Sequence, residues 1–306
     1  MLESYAGEIA STVCSMIWAL ALIFFAKAGR SVPPRALNVL KSLIVLPLFV
    51  ITCLALGIDL LPELDGWTWG VMAVSAVIGW TISDTLVFAS LNRIGAGWTA
   101  VVSCAYSPLM ILVTGVGFGV ALTWNVAVGS VIVGAAIVIA TGRVRLATVE
   151  GRTLAVGLAL GVAAELGMAI SVAMMKYPIM GHPAIFDVAH IFVITVWRMV
   201  IGTSALILWM ALRHDRAIAF THFRPNREWR WVVLASVIGS YVAMSLWIYG
   251  MKAITGSLTR AAILNQTTAI WLPILGVLLL NERLNARKLI AVAMAFVGAT
   301  IVILGR

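Results

Sequence analysis

Residues 270–306 read IWLPILGVLLLNERLNARKLIAVAMAFVGATIVILGR, and the architecture of the whole chain can be inferred from them. It contains an apolar segment, a short polar turn and a second apolar segment. A weaker copy, LMILVTGVGFGVALTWNVAVGSVIVGAAIVIATGR, occupies residues 109–143, and both copies close with nearly the same residues, GAAIVIATGR and GATIVILGR. An internal repeat of this length predicts a chain built from two structurally related halves.

The composition of the chain predicts a membrane protein. Of its 306 residues, 62% are hydrophobic and 11% are charged, whereas soluble domains carry about 25% charged residues. Apolar runs of roughly 18 residues or more recur throughout, and each is long enough to cross the hydrocarbon core as a helix. The odd set of cysteines, Cys14, Cys53 and Cys104, lies in such runs, which argues against a disulfide framework or a metal cluster.

The apolar runs predict an all-α polytopic fold of ten transmembrane helices, with boundaries at 9–26, 36–57, 68–91, 97–121, 124–141, 153–175, 188–212, 231–250, 257–280 and 287–304. We therefore divide the chain into a first five-helix repeat (1–143), a polar connector (144–152) and a second five-helix repeat (153–306). Because five is odd, the halves cross the membrane in opposite senses. This inverted repeat is typical of secondary transporters.

The loop charges predict the orientation of the chain. Loops on one side hold 15 lysines and arginines, whereas the other side and the termini hold four, together with Asp59, Glu63, Asp65 and Asp187. The positive-inside rule places the basic side in the cytoplasm. We therefore expect a multi-pass protein of the plasma (bacterial inner) membrane with both termini non-cytoplasmic. The net charge of +9 is explained by these loops and does not indicate a nucleic-acid partner.

Three segments resemble a known family. They are the turn Asn281-Glu282-Arg283-Leu284, the segment SDTLVFASLNRIGA at 83–96, and the segment TGSLTRAA at 255–262. All three are similar to the drug/metabolite transporter superfamily, specifically its ten-helix EamA-like family. The resemblance implies a transporter of a small solute, such as an amino acid, sugar, nucleotide sugar, choline or drug. Many members are assigned cytoplasmic termini, which is the reverse of the orientation that the loop charges predict here.

Charged residues inside the predicted helices are the first candidates for a site, because charges within a bilayer are costly. Arg198 and Glu165 lie deep in neighbouring helices, and two hypotheses remain open for them: a structural ion pair, or a substrate or coupling site. Lys41 lies opposite Arg198 in the repeat, and both are candidates to bind a carboxylate or phosphate of the substrate. Asp84 is either a cavity carboxylate or the partner of a nearby polar group, and its position in the second half is taken by Met244.

Polar and aromatic side chains complete the candidate site. Tyr106, Asn265 and Gln266 are predicted to supply hydrogen bonds to a substrate. The remaining candidates for the cavity wall or for coupling are Ser103, Trp18, Trp80 and Tyr241.

These features favour a secondary transporter that exposes a central site alternately to the two sides of the membrane. The first candidate substrate is an amino acid or a related zwitterion or organic anion, with export as a candidate direction. The alternatives are an exporter of multiple drugs or cationic compounds and a flippase for a lipid-linked group. No set of residues for enzymatic catalysis, metal binding or a cofactor is visible in the sequence. The expected partners are a small-molecule substrate and the lipid bilayer, with the protein a monomer or a homodimer.

Overall fold

The computed structural model describes residues 6–118, 124–141, 149–175, 188–212, 223, 227–253, 267–281 and 286–304, and every regular element in them is helical. The first half contains α1 (Ala6–Ala28), α2 (Pro34–Ala55), α3 (Gly66–Ala76), a first π segment (Val77–Ser83), α4 (Asp84–Ser103), α5 (Tyr106–Phe118) and α6 (Trp124–Thr141). The second half contains α7 (Val149–Met174), α8 (Val188–Ala211), α9 (Trp229–Ala235), a second π segment (Ser236–Ala243), α10 (Met244–Ala253), α11 (Thr268–Leu280) and α12 (Ala286–Leu304).

Many of these elements are long and apolar enough to cross a membrane. Six qualify in full, namely Ile9–Ala28, Pro34–Ala55, Gly66–Ser103, Glu150–Met174, Ala189–Ala211 and Trp229–Gly250. Shorter apolar helices lie at Pro108–Gly117, Ala127–Ala136, Thr268–Leu280 and Leu289–Gly298. Together the described helices cover parts of all ten predicted spans, and the protein is an all-helical, polytopic membrane protein.

Two breaks shape the middle of the first half. Gly95 has φ 72° and ψ 173°, so it divides the continuous run from Gly66 to Ser103 into two helices, close to the predicted boundary between the third and fourth spans. A second break at Cys104 and Ala105 separates α4 from α5 and was not predicted. In the second half, Asn281 caps α11 in the left-handed conformation, with φ 55°, where the sequence predicts the polar turn to begin.

The two π segments occupy equivalent places in the repeats. The register that aligns Val77-Ile78-Gly79 with Val237-Ile238-Gly239 also aligns the first π segment with the second. A π segment displaces backbone carbonyls from the regular α-helical ladder, and side chains can then bind them. Asn38 Nδ2 donates to the carbonyl of Trp80 at 2.6 Å, and Trp18 Nε1 donates to the carbonyl of Gly239 at 3.0 Å. Each π segment thus receives a hydrogen bond from a polar side chain of a neighbouring helix.

The halves are interlocked because each packs its first helix against the other half. α1 packs against α9, the second π segment and α10, while α7 packs against α3, the first π segment and α4. The remaining contacts follow the same symmetry, with α2 packed on α8 and α6 packed on α12. The π segments therefore lie at the contact between the halves.

Small residues allow this close approach. A Cβ atom built on Gly239 would lie 2.3 Å from Cβ of Ala21 in α1, and one built on Gly79 would lie 2.4 Å from Oγ of Ser171 in α7. Neither distance is tolerable without movement of a backbone or a hydroxyl group. The two glycines thus keep the π segments against the first helix of the opposite half.

We predict that Gly239→Ala lowers the free energy of unfolding in detergent by about 1–3 kcal/mol, because the Ala21 methyl group cannot rotate away from the new methyl group. The measurement is a chemical denaturation curve of the purified protein. Gly70→Ala is the matched control, since nothing lies within 4 Å of its Cβ position, and it should be neutral or stabilising by up to about 1 kcal/mol. Equal stability of the two variants would contradict the close packing of the second π segment.

Candidate functional site

A buried ion pair between Lys41 and Asp84 joins α2 to the start of α4. Lys41 Nζ in α2 donates to Oδ2 of Asp84, the residue that follows the first π segment. The side chains are 5% and 16% exposed, respectively. The ammonium group also lies 4.9 Å from the ring centre of Trp80 and 5.5 Å from that of Phe88. Both charges are therefore compensated inside the protein, and the aromatic faces add a cation–π attraction.

Polar contacts along α2 and the first π segment hold this pair in place. Asn38, one turn before Lys41, also donates to Oγ1 of Thr85 at 3.0 Å. Thr85 donates in turn to the carbonyl of Thr81 at 2.6 Å, and Thr81 donates to the carbonyl of Gly202 in α8 at 2.6 Å. These bonds connect α2, the first π segment and α8 around the ion pair.

Arg198 is the corresponding cation of the second half, and its partners are neutral. It lies in α8 and is 7% exposed. Its Nη2 donates to Ser171 Oγ at 2.7 Å and its Nη1 donates to Met175 Sδ at 2.8 Å, while its Nε has no acceptor among the described residues. The carboxylate of Asp84 interacts with Arg198 electrostatically but is hydrogen-bonded to Lys41. The guanidinium group therefore lacks a carboxylate in direct contact within the described part of the chain.

Ser171 is positioned by a reciprocal pair of hydrogen bonds. Ser171 Oγ donates to the carbonyl of Ser75 at 2.7 Å, and Ser75 Oγ donates to the carbonyl of Ser171 at 2.8 Å. The absence of a side chain at Gly79 is also required here, because a Cβ atom at this position would lie 2.4 Å from the Ser171 Oγ that accepts from Arg198. The contact between α3, the first π segment and α7 thus fixes the acceptor for Arg198.

Glu165 belongs to a separate cluster, which corrects one of the two hypotheses made from the sequence. Its carboxyl group hydrogen-bonds with the hydroxyl of Ser103 and interacts electrostatically with Tyr106. The structure does not pair it with Arg198, which contacts α7 at Ser171 instead. Six residues at 100° each place Glu165 and Ser171 on faces of α7 roughly 120° apart. The sequence does not specify which face of α7 meets α8.

Tyr106 connects the two clusters. It interacts electrostatically with both Glu165 and Arg198. These interactions connect five side chains in the order Lys41, Asp84, Arg198, Tyr106 and Glu165, of which Tyr106 is neutral. The five side chains belong to α2, α4, α8, α5 and α7, so the series includes residues from both halves.

The aromatic candidates lie along the second π segment. The Trp18 ring is 6.5 Å from that of Trp247, and the Tyr241 ring meets Phe49 edge-on at 5.1 Å. The Tyr241 hydroxyl is 2.5 Å from Oγ1 of Thr52. Two of the sequence candidates, Asn265 and Gln266, lie outside the described residues.

The structure adds Asn38, Ser171 and Met175 to the predicted site. Asn38 could have been found from the sequence, since it is an amide in an apolar helix one turn from Lys41. Ser171 and Met175 resemble ordinary packing residues until the contact between α7 and α8 is known. Met244, in the place equivalent to Asp84, packs against the apolar cluster around Trp80 and Val196. Among the described residues, no group of three His, Cys, Asp or Glu side chains could hold a metal ion.

Comparisons with known proteins identify the family. The model of the "EamA-like transporter family" matches residues 6–142 and again 155–304. The chain belongs to this family. EamA-like proteins are membrane transporters of the drug/metabolite transporter superfamily. Because the family model matches twice, the chain contains two EamA-like repeats. The EamA-like family is a family of transporters and not of enzymes.

Structural comparison supports the same fold. A solved structure titled only "Crystal structure of protein" matches with a TM-score of 0.62 and 18% identity, covering 97% of this chain and 95% of the other. At this identity the likeness concerns the fold alone. No curated protein matches the sequence.

We predict that Asp84→Asn and Lys41→Met each lower the free energy of unfolding by about 3–5 kcal/mol, since each single change leaves a buried charge without its partner. The free energy of unfolding of the double variant should fall by clearly less than the sum of the two single losses. Denaturation curves of all four proteins in detergent give this double-mutant cycle. Glu63→Gln, an exposed carboxylate elsewhere, is the control and should change little. Additive losses in the double variant would contradict a direct interaction.

Proposed function

We propose that this EamA-like protein is a secondary transporter for a small zwitterion, with an amino acid or related organic anion as the first candidate. Transport occurs by alternating access, the two halves moving against each other about the charged site. Family membership supports the transporter class. The cross-packing of the halves at the two π segments supports a movement centred there, because these segments lie where the halves meet.

The observation that carries this proposal is Arg198, a buried cation bonded to neutral groups. A guanidinium group at membrane depth requires compensation, and the hydroxyl of Ser171 and sulfur of Met175 supply only part of it. Its Nε donor is unused among the described residues. A substrate carboxylate that binds the Nε side of the guanidinium would supply a charge-assisted hydrogen bond and neutralise the charge.

The remaining candidates are assigned to the other parts of the substrate. Glu165 faces the ammonium group of the zwitterion, and Tyr106 and Ser103 supply neutral hydrogen bonds. Lys41 and Asp84 compensate each other, so we assign them to the position of the site and not to direct recognition. Trp18, Trp80 and Tyr241 form the apolar wall, and Asn265 and Gln266 remain proposed hydrogen-bonding residues.

A cationic drug fits this arrangement less well than a zwitterion does. The positive charge of Arg198 repels a cationic substrate that has no anionic group, and Asp84 is already bonded to Lys41. The geometry therefore favours a substrate with a carboxylate.

We predict that a thermal-shift screen of amino acids, organic anions, sugars and cationic drugs will find stabilising compounds among those with a carboxylate. Arg198→Met should weaken the binding of each stabilising compound at least thirtyfold. The reason is that losing one member of a buried charge pair, here the guanidinium group that pairs with the substrate carboxylate, costs about 2 kcal/mol or more. Arg30→Met, which removes an exposed arginine, is the control and should keep the wild-type affinity. Stabilisation by sugars or cationic drugs alone, unchanged in Arg198→Met, would refute the assignment.

We further propose that the chain lies in the plasma membrane with both termini outside the cytoplasm. The charges of two described loops support this orientation. The region between α1 and α2 carries Lys27, Arg30 and Arg35, whereas the loop between α2 and α3 carries Asp59 and Glu63. The positive-inside rule assigns the first of these loops to the cytoplasm.

We predict that Glu63→Cys reacts with a membrane-impermeant maleimide in intact cells, whereas Ser31→Cys reacts only after the cells are permeabilised. Both positions are exposed, and the native cysteines are buried, so the unmodified protein provides a low background. Labelling is read as a mass shift of the purified protein. The reverse pattern would place the termini in the cytoplasm.

A further inference from the structure

The candidate site contains two carboxyl groups, those of Asp84 and Glu165. Among the described residues, the hydrogen-bonding partner of Glu165 is neutral and that of Asp84 is charged. Asp84 is bonded to the ammonium group of Lys41 and interacts with Arg198 as well. Glu165, by contrast, is bonded to the hydroxyl of Ser103. Within the described part of the chain it forms no salt bridge, and the described ion pair is Lys41–Asp84. The two carboxyl groups therefore lie in different electrostatic surroundings.

The depth of Glu165 makes a charge there expensive. It is the seventeenth residue of α7, which begins at Val149 and ends at Met174, so it lies roughly 24 Å and 14 Å from the two ends of the helix at about 1.5 Å per residue. Its contacts with Ser103 and Tyr106 direct the carboxyl group toward α4 and α5. A carboxylate at this depth without a cation beside it is unfavourable compared with the neutral acid.

The elements packed around Glu165 supply no cation in contact with it among their described residues. α4 contributes Ser103, the break that follows contributes Cys104, and α5 contributes Tyr106, all of them neutral groups. α3 and the first π segment carry no titratable residue, and neither does α6. Arg198 of α8 contacts α7 on the face of Ser171 and Met175 instead.

We infer that Glu165 holds a proton in this conformation and is the proton-binding residue of the transporter, whereas Asp84 is the ion-pair partner of Lys41. This inference rests on the proposed function for its meaning in transport, but the proton on Glu165 can be observed without any substrate. When the ammonium group of a zwitterion arrives, the O–H bond of Glu165 breaks, the proton leaves to water, and the carboxylate pairs with the substrate. One proton is then exchanged for each zwitterion.

Infrared spectroscopy tests the inference directly, because a protonated carboxylic acid has a carbonyl-stretch band that a carboxylate lacks. The protein is purified in a detergent without ester groups, at neutral pH, and the band is confirmed by its shift in D₂O. We expect the band in the wild type, its loss in Glu165→Gln, and its retention in Asp84→Asn and in the exposed-site control Glu63→Gln. Absence of the band in the wild type, or its survival in Glu165→Gln, would overturn the inference.

Two further measurements keep the test decisive. If Glu165→Gln does not fold, Ser103→Ala replaces it: loss of the hydroxyl should move the band to higher frequency, and an unchanged band refutes the assignment to Glu165. An equimolar mixture of L-amino acids should reduce the band in the wild type if it also raises the melting temperature. A band that persists in the stabilised protein refutes the exchange of proton for zwitterion.

The outcomes separate this inference from the proposed function. A protein that shows the Glu165 band but is stabilised by no carboxylate-bearing compound disproves the substrate class and leaves the proton site intact. A protein that binds such a compound through Arg198 and lacks the band is a transporter for that substrate in which Glu165 is ionised.

Discussion

A cation buried at membrane depth must find an acceptor, and the two halves of this protein meet that requirement in different ways. In the first half, Lys41 is bonded to the carboxylate of Asp84 and covered by the rings of Trp80 and Phe88. In the second half, Arg198 is left with a hydroxyl and a thioether, because the place of Asp84 is taken by Met244. A symmetric scaffold thus carries an asymmetric charge distribution. The unequal treatment of the two cations distinguishes a charge that positions the site from one that is available to a ligand.

The π segments explain how such a site forms where two helical bundles meet. An α-helix satisfies its own carbonyls and offers side chains only, whereas a π segment offers backbone acceptors to neighbouring helices. Asn38 donates to a carbonyl of the first π segment, and Trp18 donates to a carbonyl of the second. The glycine in each segment then permits the first helix of the opposite half to approach closely. Residues of the first π segment contact α2, α7 and α8, the helices that surround the charged side chains. A movement of one half against the other must therefore alter the surroundings of Lys41, Asp84 and Arg198 together.

The sequence predicts the fold class, the two repeats and most helix boundaries, because hydrophobic run length and internal similarity are properties of the chain alone. It also identifies the costly intramembrane charges, including Asp84 and Arg198. It cannot assign their partners, since that depends on which face of each helix meets its neighbour. The hypothesis of a Glu165–Arg198 pair was wrong for this reason: adjacent helices and similar depth are insufficient when the two side chains of α7 concerned lie roughly 120° apart. The break at Cys104 and the π segments also have no simple signal in the sequence, because hydrophobic run length does not distinguish a π turn from an α turn.

The charge balance of the site connects the two assignments made for Arg198 and Glu165. With Glu165 protonated, Lys41 and Arg198 outweigh Asp84 by one positive charge. The carboxylate of a zwitterion cancels this excess at Arg198, but the accompanying ammonium group restores it. Ionisation of Glu165 then removes this excess positive charge, so that the occupied site carries no net charge. A low-dielectric interior favours that neutral state. A simple organic anion requires no ionisation of Glu165 to reach neutrality. The same site therefore distinguishes zwitterions from anions by whether a proton leaves when the substrate binds.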